Sequence, residues 1–325
     1  MIKNLSKISG VTAIVAAVAA TASAEVKINE NLSLDGYAIG SFKVVEPTTG
    51  ANDTFLDSGS NLFDAAKVAL NGKYGDFSGK VSLIYVPGKA GTEAGILDAY
   101  LTYTVGEVSI TAGKFNSWMG YESFDSPNNA FIDYGLSGNF GYAAGYNTGV
   151  KVEYITKEFA TGVSARDSLT SPGKFYQGDG EINDDIGYEA YFAYTGIDKL
   201  TLWAGVAAED VSGTTNDVFT YDLWASYAVT DKLSLAAEYA HLEDTSNYSW
   251  LLQATYAFTE KFSGSARVTG VDGDKGVADG FGYGIAGTYT ITENFSVKGE
   301  VSKTDFDGGA VGDPFLYAIQ GLFRF

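Results

Sequence analysis

The last thirteen residues, Asp313-Pro-Phe-Leu-Tyr-Ala-Ile-Gln-Gly-Leu-Phe-Arg-Phe325, alternate with a strict period of two. Successive side chains of an extended strand point to opposite faces. Phe315, Tyr317, Ile319, Gly321, Phe323 and Phe325 therefore share one face, and Ala318, Gln320 and Arg324 the other. One face suits hydrocarbon, the other water. A strand of this kind ending on an aromatic is what a transmembrane β-barrel needs to close. Phe323 and Phe325 are the expected closure residues, because an open edge in lipid would leave backbone groups unpaired.

The rest of the chain fits. Beyond residue 25 no apolar run is long enough for a helical span, yet tyrosine (22), phenylalanine (20) and glycine (40) are abundant and proline (5) is scarce. A chain with no such run can bury a lipid face only by alternation in a closed sheet. At the other end, Lys3 and Lys7 precede an apolar stretch from Val11 to Ala20 and then Ala22-Ser-Ala24. This pattern is an export signal with a small-residue cleavage site. The expected organisation is a signal peptide at 1–24 and one barrel at 25–325. There is no cysteine, which suits an exported envelope protein held by a closed sheet and not by disulfides.

Short connections recur: Asn71–Asp76, Val105–Glu107, Thr156-Lys-Glu, Gly196-Ile-Asp-Lys, Thr230-Asp-Lys, Thr259-Glu-Lys and Thr292-Glu-Asn. Tyr74, Phe77, Tyr103, Tyr154, Phe159, Tyr194, Tyr227, Phe258, Phe262, Tyr289 and Phe295 flank them. Aromatics at one level of a barrel mark the membrane interface. Seven short turns, a first strand and a terminal strand give sixteen strands, at 32–43, 62–71, 77–86, 95–105, 107–116, 144–155, 158–167, 186–195, 200–209, 217–229, 232–243, 247–258, 261–270, 280–291, 294–304 and 313–325. The fold class is all-β, an antiparallel transmembrane barrel with short periplasmic turns and long outer loops. A soluble β-sandwich would also alternate, but would not need aromatics at both ends of its apolar faces.

Chemistry-bearing motifs are few. His241 is the single histidine, and a lone histidine builds no usual zinc site; no phosphate-binding glycine motif stands in context. No catalytic set emerges, and the chain is read as no enzyme, with no catalytic residue, no metal site and no cofactor. Asp179-Gly-Glu-Ile-Asn-Asp-Asp185 and Asp272-Gly-Asp-Lys-Gly276 have alternating carboxylates that suit weak Ca2+ binding, or equally a solvated loop.

The connection 117–143 is long, between the fifth and sixth strands. It carries Trp118, Tyr121, Phe124, Phe131, Ile132, Tyr134 and Phe140, too apolar for an outward solvated loop. Long loops in compact folds are usually functional. Folded inward, the loop would narrow the interior, with Glu122, Asp125 and Asp133 facing bases such as Lys67, Lys80 and Arg166. Covering a neighbouring subunit or the outer leaflet is the rival placement.

Three stretches carry a family resemblance: Glu25-Val-Lys-Ile-Asn-Glu-Asn-Leu-Ser-Leu-Asp-Gly-Tyr37, Ala112-Gly-Lys-Phe115 opening a loop with Gly120-Tyr-Glu-Ser-Phe124, and the Phe-terminated last strand. In these the chain resembles the OmpL-like family of outer-membrane β-barrel porins. The resemblance implies a Gram-negative outer membrane, passive diffusion of small hydrophilic solutes and ions, a pore narrowed by the loop after strand five, and a last strand read by barrel assembly machinery. It carries over no substrate site. The alternative is a plugged structural or adhesive barrel binding partners through acidic loops.

Net charge is −19, or −21 without Lys3 and Lys7, which disfavours nucleic acid as a partner. On the strand phases the lumen is nearly balanced, and the excess acid sits in outer loops such as Glu243, Asp244, Asp272, Asp274, Asp279, Asp305 and Asp307. A mouth of one sign enriches counter-ions, so weak cation preference is expected; the same carboxylates would alternatively only hold divalent ions among lipid and lipopolysaccharide head groups. Small outward residues, Leu32 to Gly40 and Gly264 to Val268, allow close barrel packing in a homotrimer or simply tight bends in one barrel.

Overall fold

The computed structural model describes residues 25–46, 53–55, 65–86, 94–123, 125–142, 145–169, 186–209, 218–307 and 313–325. The expected signal peptide and the acidic string 179–185 lie outside them. Sixteen long strands close an antiparallel barrel. They are β1 (Leu32–Glu46), β2 (Ala65–Tyr74), β3 (Phe77–Tyr85), β4 (Ala94–Val105), β5 (Val108–Asn116), β6 (Tyr146–Ile155), β7 (Phe159–Arg166) and β8 (Gly187–Tyr194). The second half is β9 (Leu200–Glu209), β10 (Val218–Ala228), β11 (Leu233–Leu242), β12 (Ser246–Ala257), β13 (Phe262–Gly273), β14 (Gly280–Thr290), β15 (Phe295–Phe306) and β16 (Phe315–Arg324). Each pairs with its sequence neighbours. Two short strands, Val26–Lys27 and Asp53–Phe55, pair with β1 and were not expected from sequence; neither shows enough alternation to stand out. β13 runs to Gly273, three residues past its expected end, because its last residues still pair with β12.

The short turns explain themselves chemically. The Thr156, Thr230 and Thr259 hydroxyls each accept N–H bonds from two residues further along their turn, and Thr292 accepts from Phe295. Threonine hydroxyls commonly cap turns in this way. The threonine that opens each of these turns is thus a repeated hydrogen-bond device.

Outward faces are large and apolar. Phe192, Leu223, Leu252, Ile285 and Ile319 are each about half exposed on the outside of the barrel. Leaving such a belt in water would forfeit about 1.5–3 kcal/mol per side chain. The inward face is less polar than alternation suggests: Tyr191, Trp203, Trp224, Leu251, Leu316 and Leu322 are inward and buried. Apolar side chains are stable there because a loop packs on them.

The seam follows from the terminal strand. β16 pairs with β1 from Phe315 against Glu46 to Arg324 against Tyr37. Beyond it, the Gly36 N–H donates to the Phe325 carbonyl (2.8 Å) and the Phe325 N–H to the Gly36 carbonyl (3.1 Å). A Cβ on Gly36 would lie 2.3 Å from the Lys67 carbonyl oxygen and 2.6 Å from the Phe325 ring. Only glycine lets the terminal ring lie on the backbone here. Past Phe325, Val26 and Lys27 pair with Leu34 and Ser33 and cover the remaining edge of β1.

Deleting Leu322–Phe325 should abolish insertion, and Gly36→Val should weaken the seam and lower the temperature of heat modification. Both are read from electrophoretic mobility of membrane fractions with and without boiling. An unaltered heat-modifiable barrel from the deletion would refute the assignment of Phe323 and Phe325 to closure.

Candidate functional site: a loop seated inside the barrel

The connection between β5 and β6 turns into the lumen, and the wall receives it anchor by anchor. At its root the Arg166 guanidinium donates to the Asn116 (3.0 Å) and Phe115 (3.4 Å) carbonyls and pairs with Glu189 at 2.7 Å. Glu189 also accepts the Ser117 hydroxyl (2.6 Å). Arg166, expected to face the loop acids, instead fixes the point where the loop leaves β5.

Next comes an aromatic seat. Trp118 packs on Tyr191 (4.6 Å between ring centres). Tyr191, Trp203 and Trp224, on adjacent strands β8, β9 and β10, stack in sequence at 6.2 and 5.8 Å. Tyr121 meets Trp224 edge-on at 5.8 Å. Aromatic pairs at these separations add about 0.5–1.5 kcal/mol beyond area burial. These inward aromatics were not expected, although their position on the lumen face of otherwise alternating strands is a usable signal.

The loop backbone is then tied to wall carboxylates. Gly120 N–H donates to Asp222 (2.8 Å) and Tyr121 N–H to Glu238 (2.6 Å). Gly120 has φ of 100°, and a Cβ there would lie 2.4 Å from the Tyr142 ring, so the turn needs glycine. Further along, Ile132 and Asp133 N–H both donate to Glu300 (2.6 and 3.0 Å). Carbonyls are served by bases: Lys298 donates to Asn129 (2.5 Å), Arg324 to Pro127 (2.6 Å) and Arg267 to Asp133 (2.9 Å). The short helix α1 (Leu136–Phe140) ends against β12, with Ser246 donating to the Phe140 carbonyl (2.8 Å).

The three loop acids each meet a different base. Glu122 pairs with Arg267 at 2.5 Å and accepts the Gly135 N–H at 2.7 Å. The same guanidinium lies 4.1 Å from the Phe131 ring centre. Asp125 pairs with Lys67 at 3.1 Å and accepts the Tyr37 hydroxyl at 2.6 Å. Asp133 pairs with Lys43 at 3.4 Å. Of the bases named from sequence, Lys67 meets a loop acid. Lys80 lies on β3 facing a cavity of about 410 Å3 toward the short turns, lined also by Lys27, Asn71, Lys73 and Tyr100; its charge reaches Asp125 without an ion pair. The strand phases put Arg267 on the lumen face without matching it to a loop acid, and Lys43 was not among the expected bases.

Burial raises the Asp125 carboxyl, but the Lys67 charge and the bonds from Tyr37 and Lys67 outweigh it and hold Asp125 below its usual range. Burial wins at Glu122, whose carboxyl is pushed up despite Arg267 and the Gly135 N–H. Near Gly273, Asp279 accepts the Gly273 N–H and Asp272, on β13, accepts the Asn247 amide of β12, so these acids are partly engaged by neighbouring backbone and side chain. Among the described residues no three His, Cys, Asp or Glu side chains gather to hold a metal ion.

A sixteen-stranded antiparallel barrel with a lipid-matched exterior and an inward loop after strand five is an outer-membrane barrel of the porin type. Residues 27–316 match the family described as "putative beta-barrel porin-2, OmpL-like", and the chain belongs to it. Solved structures share the fold at low identity. A triple mutant of the Rhodopseudomonas blastica porin has a TM-score of 0.62 at 19% identity, over 90% of this chain and 100% of that one. A loop-deletion mutant of OmpT, an outer membrane protein of Vibrio cholerae, has a TM-score of 0.61 at 15% identity, over 90% and 99%. No curated protein sequence matches.

Two outcomes follow. Arg267→Met leaves Glu122 and Glu300 buried without their cation; breaking a buried pair costs about 3–5 kcal/mol. The loop should then be cut by chymotrypsin in a barrel that still heat-modifies, where the parent resists. The Asp125 anchor should be pH-dependent with a definite sign. A depressed carboxyl contributes stability that is present above its ordinary value of 3.8 and is lost as pH falls through the depressed value. Asp125→Asn should therefore lower the heat-modification midpoint more at pH 7 than in acid, with the difference shrinking as pH falls below 3.8; an equal loss throughout would refute the charge argument.

Proposed function

We propose that this barrel is a diffusion porin for small hydrophilic solutes and ions, narrowed by the loop 117–143, with weak cation preference. The carrying observation is the loop itself. It lies within the lumen on named anchors, while Lys80, Lys151 and Glu153 remain only part-buried on the inward face of β3 and β6. A barrel of sixteen strands is wide enough for an aqueous channel. The reading includes export by the 1–24 signal, residence in the outer membrane and assembly through the Phe-terminated strand.

Charge selection rests on what is left unpaired. Glu122, Asp125 and Asp133 are matched by Arg267, Lys67 and Lys43, so the narrow zone contributes little net field. Outer acids such as Glu243, Asp272, Asp279, Asp307 and Asp313 then set the sign at the mouth. Their reach is limited to about 10 Å at 0.1 M salt, hence a weak preference that fades as salt rises.

A second reading, a plugged structural barrel, is favoured by the loop's contacts with both halves of the wall, from Asp125–Lys67 on β2 to Ser246–Phe140 on β12. Planar-bilayer recording separates the two. A porin gives stable unit conductance, raised when residues 121–135 are trimmed, and a reversal potential of cationic sign in a low KCl gradient. Silence from a correctly folded sample supports the plug, and anion preference at low salt would overturn the role of the outer acids.

A further inference from the structure

A polar row crosses the lumen face near the short-turn end of the barrel. Lys27 stands across from Ser33, Ser33 from Asn71, Asn71 from Lys80 and Lys80 from Tyr100. Ser33 is an even number of residues from Tyr37, and Asn71 from Lys67, so the row shares its face with those loop partners. Lys73 and Ser78 stand opposite each other on the same face, nearer the turn. Lys73 and Lys80 are therefore diagonal neighbours, with Cα atoms roughly 7–8 Å apart, close enough for two long side chains to meet on one ligand.

Open space lies in front of this row. The cavity of about 410 Å3 is lined by Lys27, Lys73, Lys80, Ser78 and Tyr100, and also by Glu25 and Glu30. The N-terminal segment forms one side of it. That segment is held by the Lys73 N–H on the Asn31 carbonyl (2.8 Å) and by Asn29 Oδ1, which accepts the Asn31 and Leu32 N–H groups (2.8 and 2.9 Å). Two acids here are already served: Ser33 donates to Glu25 and Asn71 to Asp35. Among the described residues Lys27, Lys73 and Lys80 form no ion pair, and the Ser78 and Tyr100 hydroxyls are free to donate.

We propose that this cavity binds the phosphate group of a small phosphorylated solute. Lysines meet phosphate as point charges, and three of them outnumber Glu25 and Glu30 in the lining. The two hydroxyls supply donors for further phosphate oxygens. A carboxylate has only two oxygens in one plane and is better matched by a guanidinium fork; no arginine is among the described residues of the lining. The volume falls in the range of small-ligand pockets, about 300–1,000 Å3. The row lies at the end opposite the acidic outer loops, whose reach is about 10 Å at 0.1 M salt, so it is compatible with a cationic mouth. Access of the solute rests on the porin reading; binding does not.

Calorimetric titration of the detergent-folded barrel with glycerol phosphate tests the site. Binding should saturate and weaken at least tenfold in Lys73→Gln/Lys80→Gln. Glu30→Gln should strengthen it severalfold, an effect of opposite sign that holds if the double variant fails to fold. Lys199→Gln, on a turn away from the cavity, should bind as the parent does. Equal binding by parent and folded double variant would assign the phosphate to other lysines and overturn the site. Absence of saturable binding, or tighter binding of succinate than of glycerol phosphate, would also overturn it. Conductance is read separately: a silent barrel that binds the probe keeps the site and refutes the porin, whereas a conducting barrel that does not bind refutes the site alone.

Discussion

An irregular stretch of backbone buried inside a barrel must find a partner for every N–H and C=O, because neither the sheet ladder nor lipid can supply one. The lumen of this protein is arranged around that requirement. Carboxylates of Asp222, Glu238 and Glu300 accept loop amides, and Lys298, Arg324 and Arg267 donate to loop carbonyls. Most of these wall charges therefore hold the loop and are not free to face a solute. Net charge of the wall is a poor guide to selectivity for the same reason.

The two faces of each strand answer to different solvents. Outside, alternate residues are bulky and apolar and meet hydrocarbon. Inside, the same strands carry charges, hydroxyls and a patch of stacked aromatics on β8, β9 and β10. A one-residue slip would exchange the faces of a whole strand. Register is thus fixed twice, by lipid outside and by the loop anchors inside. The seam at Gly36 and Phe325 extends this register to the end of the chain, and the N-terminal pair Val26 and Lys27 covers what the last strand leaves open.

Family membership and a shared fold with solved porins place this architecture in known company. At such low identity the likeness concerns the frame. The seat of Trp118 on Tyr191, Trp203 and Trp224 and the anchors Glu122–Arg267 and Asp125–Lys67 are described from this chain's own residues.

The amino-acid sequence by itself determined the sixteen long strands, the alternation of their faces, the closing strand and a loop after strand five too apolar to lie in solvent, while leaving open whether that loop turns inward. These depend on a period of two, on turn chemistry at Thr156, Thr230, Thr259 and Thr292, and on aromatic content, all of which are local. It also marked Glu122, Asp125 and Asp133 as loop acids. Only the tertiary structure decided their partners. Lys67 was among the bases considered, whereas Arg267 and Lys43 lie far from Glu122 and Asp133 in the chain and approach them only through the register of the closed barrel. Arg166 was assigned to those acids and instead holds the loop's root, because β7 places it beside Asn116 and Glu189. The burial of Asp222 and Glu238 was equally invisible in sequence. It depends on which stretch of loop comes to rest above β10 and β11, a matter of three-dimensional packing that no local pattern encodes.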